Sequence, residues 1–336
     1  MRYIASFVVA AAAVAAILAG TASATKPGPN TSTGDASVFV SNPVQSLGDE
    51  TLTDQKDADM AVPDAAYFQV TLTNLDGSGF LQGDYATVYS ETGNQAYSPT
   101  NSFQYTRHQD EFEQVMAYYW ITEAQKYIHT LGFGVTRRGI DNQPQRVRIN
   151  QLGYDNSFET DHPTLEIRLG KGGVDDAEDA EVILHEYGHA IHFSQDFSFD
   201  GEGGAISEGF GDYWAADVTN IFAPTPDPAC VADWDSVSYT PGPVHCLRRV
   251  DTNLHYPGDL SGEVHHDGQI WSRVLWDIRT ALGHVKADTI ILNGQFDFPG
   301  TTMTALARST VAAAQSLYGN SAAKAVTKAF TDRGIL

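Results

Sequence analysis

The segment HEYGH places two histidines and a glutamate at a spacing that suits a metal centre. His185 and His189 are four residues apart, so on a helix their side chains lie on one face, about 6 Å apart. That separation lets both imidazoles reach one zinc ion at about 2.1 Å. Glu186 is turned about 100° from His185, so its carboxylate can reach a water molecule beside the ion. The spacing predicts a zinc-dependent hydrolase with Glu186 as general base.

A catalytic zinc site needs a third protein ligand and one open coordination position. The segment GGAISEGFGDYWA supplies Glu208, and Asp212 follows one helical turn later on the same face. Glycines within residues 196–204, FSFDGEGG, allow the chain to turn between the two helices. We therefore expect Glu208 to be the third ligand. Asp212 is expected to accept the outer ring N–H of a ligand histidine.

Three further histidines lie near these motifs. His192 follows His189 by three residues but is tilted off the zinc-facing line, and a fourth ligand would close the open position, so we predict a surface or packing histidine. His265 and His266 precede a helix that we expect to begin near Gly268. An imidazole there could hydrogen-bond the oxyanion formed during substrate attack. Spacing by itself does not choose between these two.

The elements that must position these residues form a β-rich first part and a mainly helical second part. Residues 37–110 and 145–170 alternate apolar and polar side chains between turn residues. Apolar residues at helical spacing predict helices near 111–131 and then over 176–194, 205–217, 268–283, 302–317 and 320–332. We therefore expect an α+β fold with a β-rich lobe over 37–174 and a helical lobe over 175–336.

The N-terminus predicts export of the protein. A positively charged start, an apolar run over 4–18 and a small-residue cleavage site at Ala24 together indicate a secretory signal peptide over 1–24. The apolar run is short for a membrane anchor, which is the alternative. Residues 25–36 are expected to be a polar linker. The mature protein is predicted to be extracellular and free of the membrane.

Charge limits the classes of partner. The chain holds 42 Asp and Glu against 20 Lys and Arg, a formal net charge of -22. Nucleic acids and anionic membranes both require a basic face, so neither is expected to bind. Peptides or proteins are the expected partners as substrates, and we expect a monomer.

The two cysteines, Cys230 and Cys246, are expected to form a disulfide, because export places them in an oxidising compartment. A loop of this size gains roughly 3 kcal/mol from the constraint on the unfolded chain. Two free thiols are the alternative.

Taken together, these motifs resemble thermolysin-like zinc peptidases of the gluzincin clan, and more closely the fungalysin-like branch with its bacterial relatives. The resemblance runs from about Phe112 to the last residue and rests chiefly on HEYGH and GGAISEGFGD. It implies a two-lobed α+β fold with the active-site helix between the lobes. It also implies one catalytic zinc held by His185, His189 and Glu208. Glu186 matches the family's general base.

Weaker similarities imply further site residues. EVHHDGQIW resembles the family segment that carries the catalytic histidine and favours His265 over His266. GYDNSF resembles the strand that binds the substrate backbone, through Asn156 and Ser157 here. CLRRVD resembles the segment with a substrate-contacting arginine, which is Arg248 here.

Two features depart from the family pattern. The tyrosine that assists the oxyanion falls near Phe199, which has no hydroxyl, so stabilisation would rest more heavily on zinc and His265. The calcium sites of the family do not map cleanly onto the chain. Glu181 and the acidic run over 175–179 are the calcium candidates, and hydrogen-bonded acids at a helix start, where the dipole favours negative charge, are the alternative.

Three functions remain open on the sequence alone. The first is a secreted zinc endopeptidase, for which the resemblance implies a bulky apolar residue after the scissile bond. The second is a zinc aminopeptidase, which would need an acidic anchor for the free amine, and no obvious motif supplies one. The third is a non-catalytic secreted zinc-binding protein, against which the presence of Glu186 argues, since it ligates nothing in this scheme.

Overall fold

The computed structural model describes residues 29–160, 164–239 and 245–336. The signal peptide predicted over 1–24 lies outside the described residues. The linker predicted over 25–36 is too long, because strand β1 begins at Ser32. Polar side chains in this part of β1 alternate toward solvent, while its backbone pairs with two neighbouring strands.

The elements follow one another in two groups. The first group is β1 (Ser32–Phe39), α1 (Pro43–Leu47), β2 (Tyr67–Leu75), β3 (Ala86–Ser90), β4 (Ser102–Phe103), α2 (Asp110–Thr130), β5 (Gln145–Leu152), β6 (Phe158–Glu159) and β7 (Glu166–Gly170). The second group is α3 (Ala180–Ser194), α4 (Gly203–Phe222), β8 (Cys230–Val231), β9 (Arg248–Arg249), α5 (Val264–Leu282), α6 (His284–Gln295) and α7 (Met303–Asp332). The predicted α+β class, with strands first and helices later, is confirmed.

The strands of the first group form two sheets around α2. One sheet has the order β2-β1-β4, and the other has the order β3-β5-β7-β6 with parallel pairing except at β6. Helix α2 contacts both sheets and α3. Two of its aromatic side chains hydrogen-bond to the first sheet: Trp120 Nε1 donates to Phe39 O at 3.1 Å, and Tyr118 Oη donates to Thr73 O at 2.9 Å. Helix α3, which carries the HEYGH segment, therefore packs on the layer that α2 and the sheets form.

The helices of the second group differ from the predicted spans at their starts. Helix α3 begins at Ala180 rather than 176, because Asp179 caps it by accepting the N–H of Glu181. Helix α5 begins at Val264 rather than near Gly268, because the Glu263 side chain accepts the first free N–H groups. Both candidate histidines of that segment therefore lie in the first turn of the helix and not before it.

Two further helices show where periodicity succeeds and fails. The break predicted between 317 and 320 is confirmed, since Gly319 interrupts α7 with φ 77° and ψ -170°. Helix α6 was missed by the helical-spacing argument. It follows directly on Gly283, and its large buried apolar residues form one run over 290–292 rather than a helical repeat. Among the described residues, none of the helices combines the length and apolarity that crossing a bilayer would need.

Candidate metal centre and active-site cleft

Helices α3 and α4 cross at two glycines. A Cβ on Gly188 would lie 2.9 Å from Cα of Gly211, and a Cβ on Gly211 would lie 2.7 Å from Nδ1 of His185. Neither approach leaves room for a larger side chain, so glycine at both positions permits the close crossing. The crossing brings Glu208 of α4 against the HEYGH segment of α3.

Three ligand-type side chains converge at this crossing. Nε2 of His185 lies 3.2 Å from Oε2 of Glu208, and Nε2 of His189 lies 3.6 Å from Oε1 of Glu208. One atom from each of the three residues lies within 4.8 Å of the other two. Atoms at these separations can share one zinc ion at about 2.0–2.2 Å.

The electrostatics of this group call for a positive charge between the side chains. Nδ1 of His185 lies 3.0 Å from Oδ1 of Asp212. A neutral His185 that donates Nδ1–H there turns the lone pair of Nε2 toward Glu208, so two acceptors face each other unless a proton or a metal ion lies between them. Burial alone would lower the pKa of His185, but Asp212 and Glu208 outweigh it and raise the pKa to about 10. The donor set therefore fits a cation such as zinc.

Each of the two candidate ligand histidines has a polar partner on its outer nitrogen. For His185 this is Asp212, which is fully buried and also accepts from Arg248 Nη2 at 2.7 Å. For His189 it is Ser207, whose Oγ lies 2.7 Å from Nδ1. Helical spacing predicted the contact of Asp212 with a ligand histidine, but it did not predict that of Ser207. The sequence feature that could have indicated Ser207 is a hydroxyl residue directly before Glu208.

Glu186 is buried beside this group, and its Oε2 has no hydrogen-bond partner among the described residues. Burial raises the pKa of Glu186 to about 7. A carboxylate of this pKa can both take up and release a proton near neutral pH. By contrast, burial lowers the pKa of His189 to about 4, which keeps its imidazole neutral.

The structure separates the two candidate histidines of α5. Nε2 of His265 lies 3.5 Å from Oε2 of Glu208, and His265 lines the cleft that runs along α3. Nδ1 of His266 instead lies 3.2 Å from Oδ1 of Asp267. Glu263 holds His265 from behind, with Oε1 at 2.6 Å from Nδ1. The arrangement therefore brings His265, and not His266, beside the metal-ligand candidates.

The three residues that the resemblance assigns to substrate binding all line the same cleft. Asn156 is exposed at its rim. The hydroxyl of Ser157 is used within the protein, since it donates to Asp176 and accepts the N–H of Gly170. Arg248 is held by Asp212, so its guanidinium has a fixed position at the cleft wall.

His192 and Phe199, the two remaining residues near the HEYGH segment, both pack against aromatic rings. His192 is fully buried and stacked between Phe197 and Phe210, with ring centroids 3.9 and 4.5 Å away. Of the two predicted environments, surface or packing, His192 therefore has the packing one. Phe199 packs near His189 with ring centroids 6.4 Å apart and offers no hydroxyl to the cleft.

Two of the calcium candidates, Glu181 and Asp179, are already hydrogen-bonded. The carboxylate of Glu181 accepts from the Thr219 hydroxyl at 2.9 Å and from the N–H of Ala232 at 2.8 Å. Asp179 accepts backbone N–H groups of Glu181 and Trp234 at 2.9 and 3.1 Å. At these two residues the contacts favour the alternative of hydrogen-bonded acids at the start of a helix, whereas Oδ1 of Asp176 has no partner among the described residues.

Cys230 and Cys246 are joined by a disulfide, with their Cα atoms 5.1 Å apart. The bond ties β8 to the residues just before β9. Arg248 belongs to β9, so the cross-link braces the cleft wall that carries it.

Comparisons with known proteins agree with this geometry at the level of the fold. No protein-family model matches the chain. A gelatinase from Enterococcus faecalis is 27% identical over a region covering 54% of this chain and 38% of the gelatinase. The chain therefore spans less than half the length of that curated relative. The structure of the precursor of protealysin, a metalloproteinase from Serratia proteamaculans, matches with a TM-score of 0.55 at 18% identity. That match covers 74% of this chain and 87% of the precursor. The predicted metallopeptidase fold is confirmed.

Proposed function

We propose that this chain is a secreted zinc endopeptidase that hydrolyses internal peptide bonds. The observation that carries the proposal is the convergence of His185, His189 and Glu208 beside a buried glutamate that binds none of them. Two imidazoles and one carboxylate form a ligand set typical of catalytic zinc, which leaves an open position. Similarity to a protein named gelatinase and the fold shared with a metalloproteinase precursor support the same reaction class.

A zinc ion held by His185, His189 and Glu208 would supply a Lewis acid that polarises the scissile carbonyl and makes water more acidic. Glu186 takes the proton of the attacking water on its unpaired Oε2 and later gives that proton to the leaving amine. Its pKa of about 7 suits both transfers. His265, half-exposed at the cleft, donates a hydrogen bond to the oxyanion.

The surrounding residues hold these groups in place. Asp212 fixes the tautomer of His185, and Ser207 occupies Nδ1 of His189, so both rings present Nε2 to the same point. Arg248, anchored by Asp212, places a fixed positive charge at the wall where a substrate carbonyl passes. Since Phe199 has no hydroxyl, His265 is the residue of this chain on which oxyanion stabilisation rests.

The test is a Glu186→Gln variant. Gln keeps the size of the side chain but cannot accept the proton, so we expect zinc content near one per chain and peptidase activity lowered by about 10²–10⁴-fold. Glu123→Gln, on α2 and outside the cleft lining, is the matched control. Full activity of Glu186→Gln would refute the mechanism.

Substrate ends and metal analysis separate the two alternatives. Peptides with both ends blocked should be cut internally, and cleavage confined to peptides with a free N-terminus would indicate an aminopeptidase. Zinc bound without chelator-sensitive cleavage of any peptide would indicate a non-catalytic zinc-binding protein.

A further inference from the structure

The cleft contains two buried carboxyl groups that the proposed mechanism does not use. Asp176 and Asp235 are 2% and 3% exposed, and Oδ1 of each has no hydrogen-bond partner among the described residues. Both line the same cavity, of about 90 Å³, as His185 and Glu186. Both side chains therefore border the space that a substrate next to the reacting bond would enter.

A third carboxyl group adds to the negative charge at this end of the cleft. Oxygens of Asp155, Asp176 and Asp235 lie within 4.8 Å of one another. None of these three belongs to an ion pair among the described residues. The nearest guanidinium on the cleft wall, that of Arg248, is already paired with Asp212 at 2.7 Å. Burial raises the pKa of Asp176 to about 7 and that of Asp235 well above its usual range, so protons neutralise these carboxyls when no cation is near. A cationic group that enters beside them can replace those protons and pair with the carboxylates.

The shape of the cavity matches a long side chain with a charged end. Val182, Val231 and Leu247 supply apolar wall in the same cavity as the carboxyl groups. Methylene groups of lysine or arginine pack on such a wall while the charged end reaches a carboxylate. At roughly 30 Å³ for each water-sized group, the volume of about 90 Å³ holds about three such groups. The ammonium and the last methylenes of a lysine side chain are about this size.

We propose that Asp176 and Asp235 form a specificity pocket for a cationic side chain, so that the chain cleaves peptides next to lysine or arginine. The inference rests on the proposed endopeptidase function and deepens it. It replaces the bulky apolar residue that the family resemblance implies, because two buried carboxyl groups line this pocket together with its apolar side chains.

The experiment uses the mature protein and blocked peptides that differ at one position beside the cut. Lysine, arginine, norleucine, leucine and glutamate are compared, and the products are sequenced. Norleucine keeps the methylenes of lysine without its charge, so kcat/KM should be at least about tenfold higher for lysine than for norleucine. Equal cleavage of lysine and norleucine peptides would overturn the proposal.

Variants show whether the preference comes from these residues. Asp235→Asn and Asp176→Asn should lower kcat/KM for lysine peptides by about tenfold or more while leaving norleucine peptides much less affected. Asp227→Asn, which removes a carboxylate from a surface pair with Arg249, is the matched control. An equal loss on all substrates would assign both residues a purely structural role and overturn the proposal.

Binding measurements keep this test separate from the proposed function. The Glu186→Gln variant is titrated calorimetrically with the lysine and norleucine peptides, each with an acetylated and a free N-terminus. Tighter binding of the acetylated lysine peptide supports the pocket even if no peptide is cleaved. Discrimination only between acetylated and free N-termini would assign the acidic pocket to an α-amine and overturn the proposal. Calcium binding by the native protein that is lost in Asp235→Asn would also overturn the proposal.

Discussion

Oδ1 of Asp212 lies 3.0 Å from Nδ1 of His185, on the side of the ring opposite to Glu208. The imidazole is therefore held between two carboxylates, one on each nitrogen. Asp212 also accepts from Arg248, and these partners hold the pKa of Asp212 down at about 2 although burial would raise it. A permanent carboxylate at this position keeps Nδ1 protonated and leaves Nε2 free to bind a metal.

Asp212→Asn should lower zinc affinity by about 10–100-fold, because the amide can donate to Nδ1 and force the proton onto Nε2. Competition with a chelator of known affinity measures the effect. Asp227→Asn, which also removes a partner of an arginine, should bind zinc like the native protein. Native zinc affinity in a folded Asp212→Asn protein would contradict this role.

His265→Ala should lower kcat by about 10–10³-fold and leave zinc content unchanged, because its Nε2 is placed to bond the oxyanion. His266→Ala should change kcat little, since that side chain faces Asp267. Steady-state kinetics on one blocked peptide compares the two neighbours directly. An equal decrease of kcat in both variants would show that activity depends on an intact start of α5 and not on the His265 side chain.

The stability of the protein should fall as the pH rises through the range in which Asp141 ionises. Burial raises the pKa of this carboxyl to about 7, whereas an unfolded chain titrates near its ordinary value of 3.8. The folded state therefore holds the proton more tightly, and the free energy of unfolding is highest below about pH 4 and decreases until about pH 7. The difference between the two pKa values corresponds to roughly 4 kcal/mol in the free energy of unfolding.

Asp141→Asn tests this contribution, and asparagine also tolerates the φ of 42° at this position. Urea unfolding at pH 4.5 and pH 8 should show the variant more stable than the native protein at pH 8, with a smaller difference at pH 4.5. A variant with the same pH dependence as the native protein would rule out Asp141 as the source.

Replacing Cys230 and Cys246 together by alanine should lower the free energy of unfolding by roughly 3 kcal/mol, because the disulfide joins residues 16 apart in sequence. Urea unfolding of the variant and of the native protein measures the change, and the native protein with a reductant is the control. Activity should also decrease, since the cross-link braces the strand of Arg248. An unchanged unfolding midpoint would show that the disulfide does not stabilise the protein and would contradict this prediction.

The sequence by itself determined the features that depend on local geometry. HEYGH places two imidazoles on one helical face because an α-helix has 3.6 residues per turn. The same rule linked Glu208 with Asp212 and separated the two parts of α7 at Gly319. It also indicated the α+β class, since strand and helix patterns differ in period.

Tertiary structure alone decided how distant segments meet. Sequence periodicity does not show that Gly188 and Gly211 let two helices touch, that Ser207 supports His189, or that His265 lies beside Glu208. The acidic run over 175–179 indicates a favourable helix start, yet the fold places Asp176 in the cleft, opposite Asp235 from a segment almost sixty residues later. Local spacing follows from backbone geometry, whereas such meetings depend on the packing of the whole chain, which no short window of sequence contains.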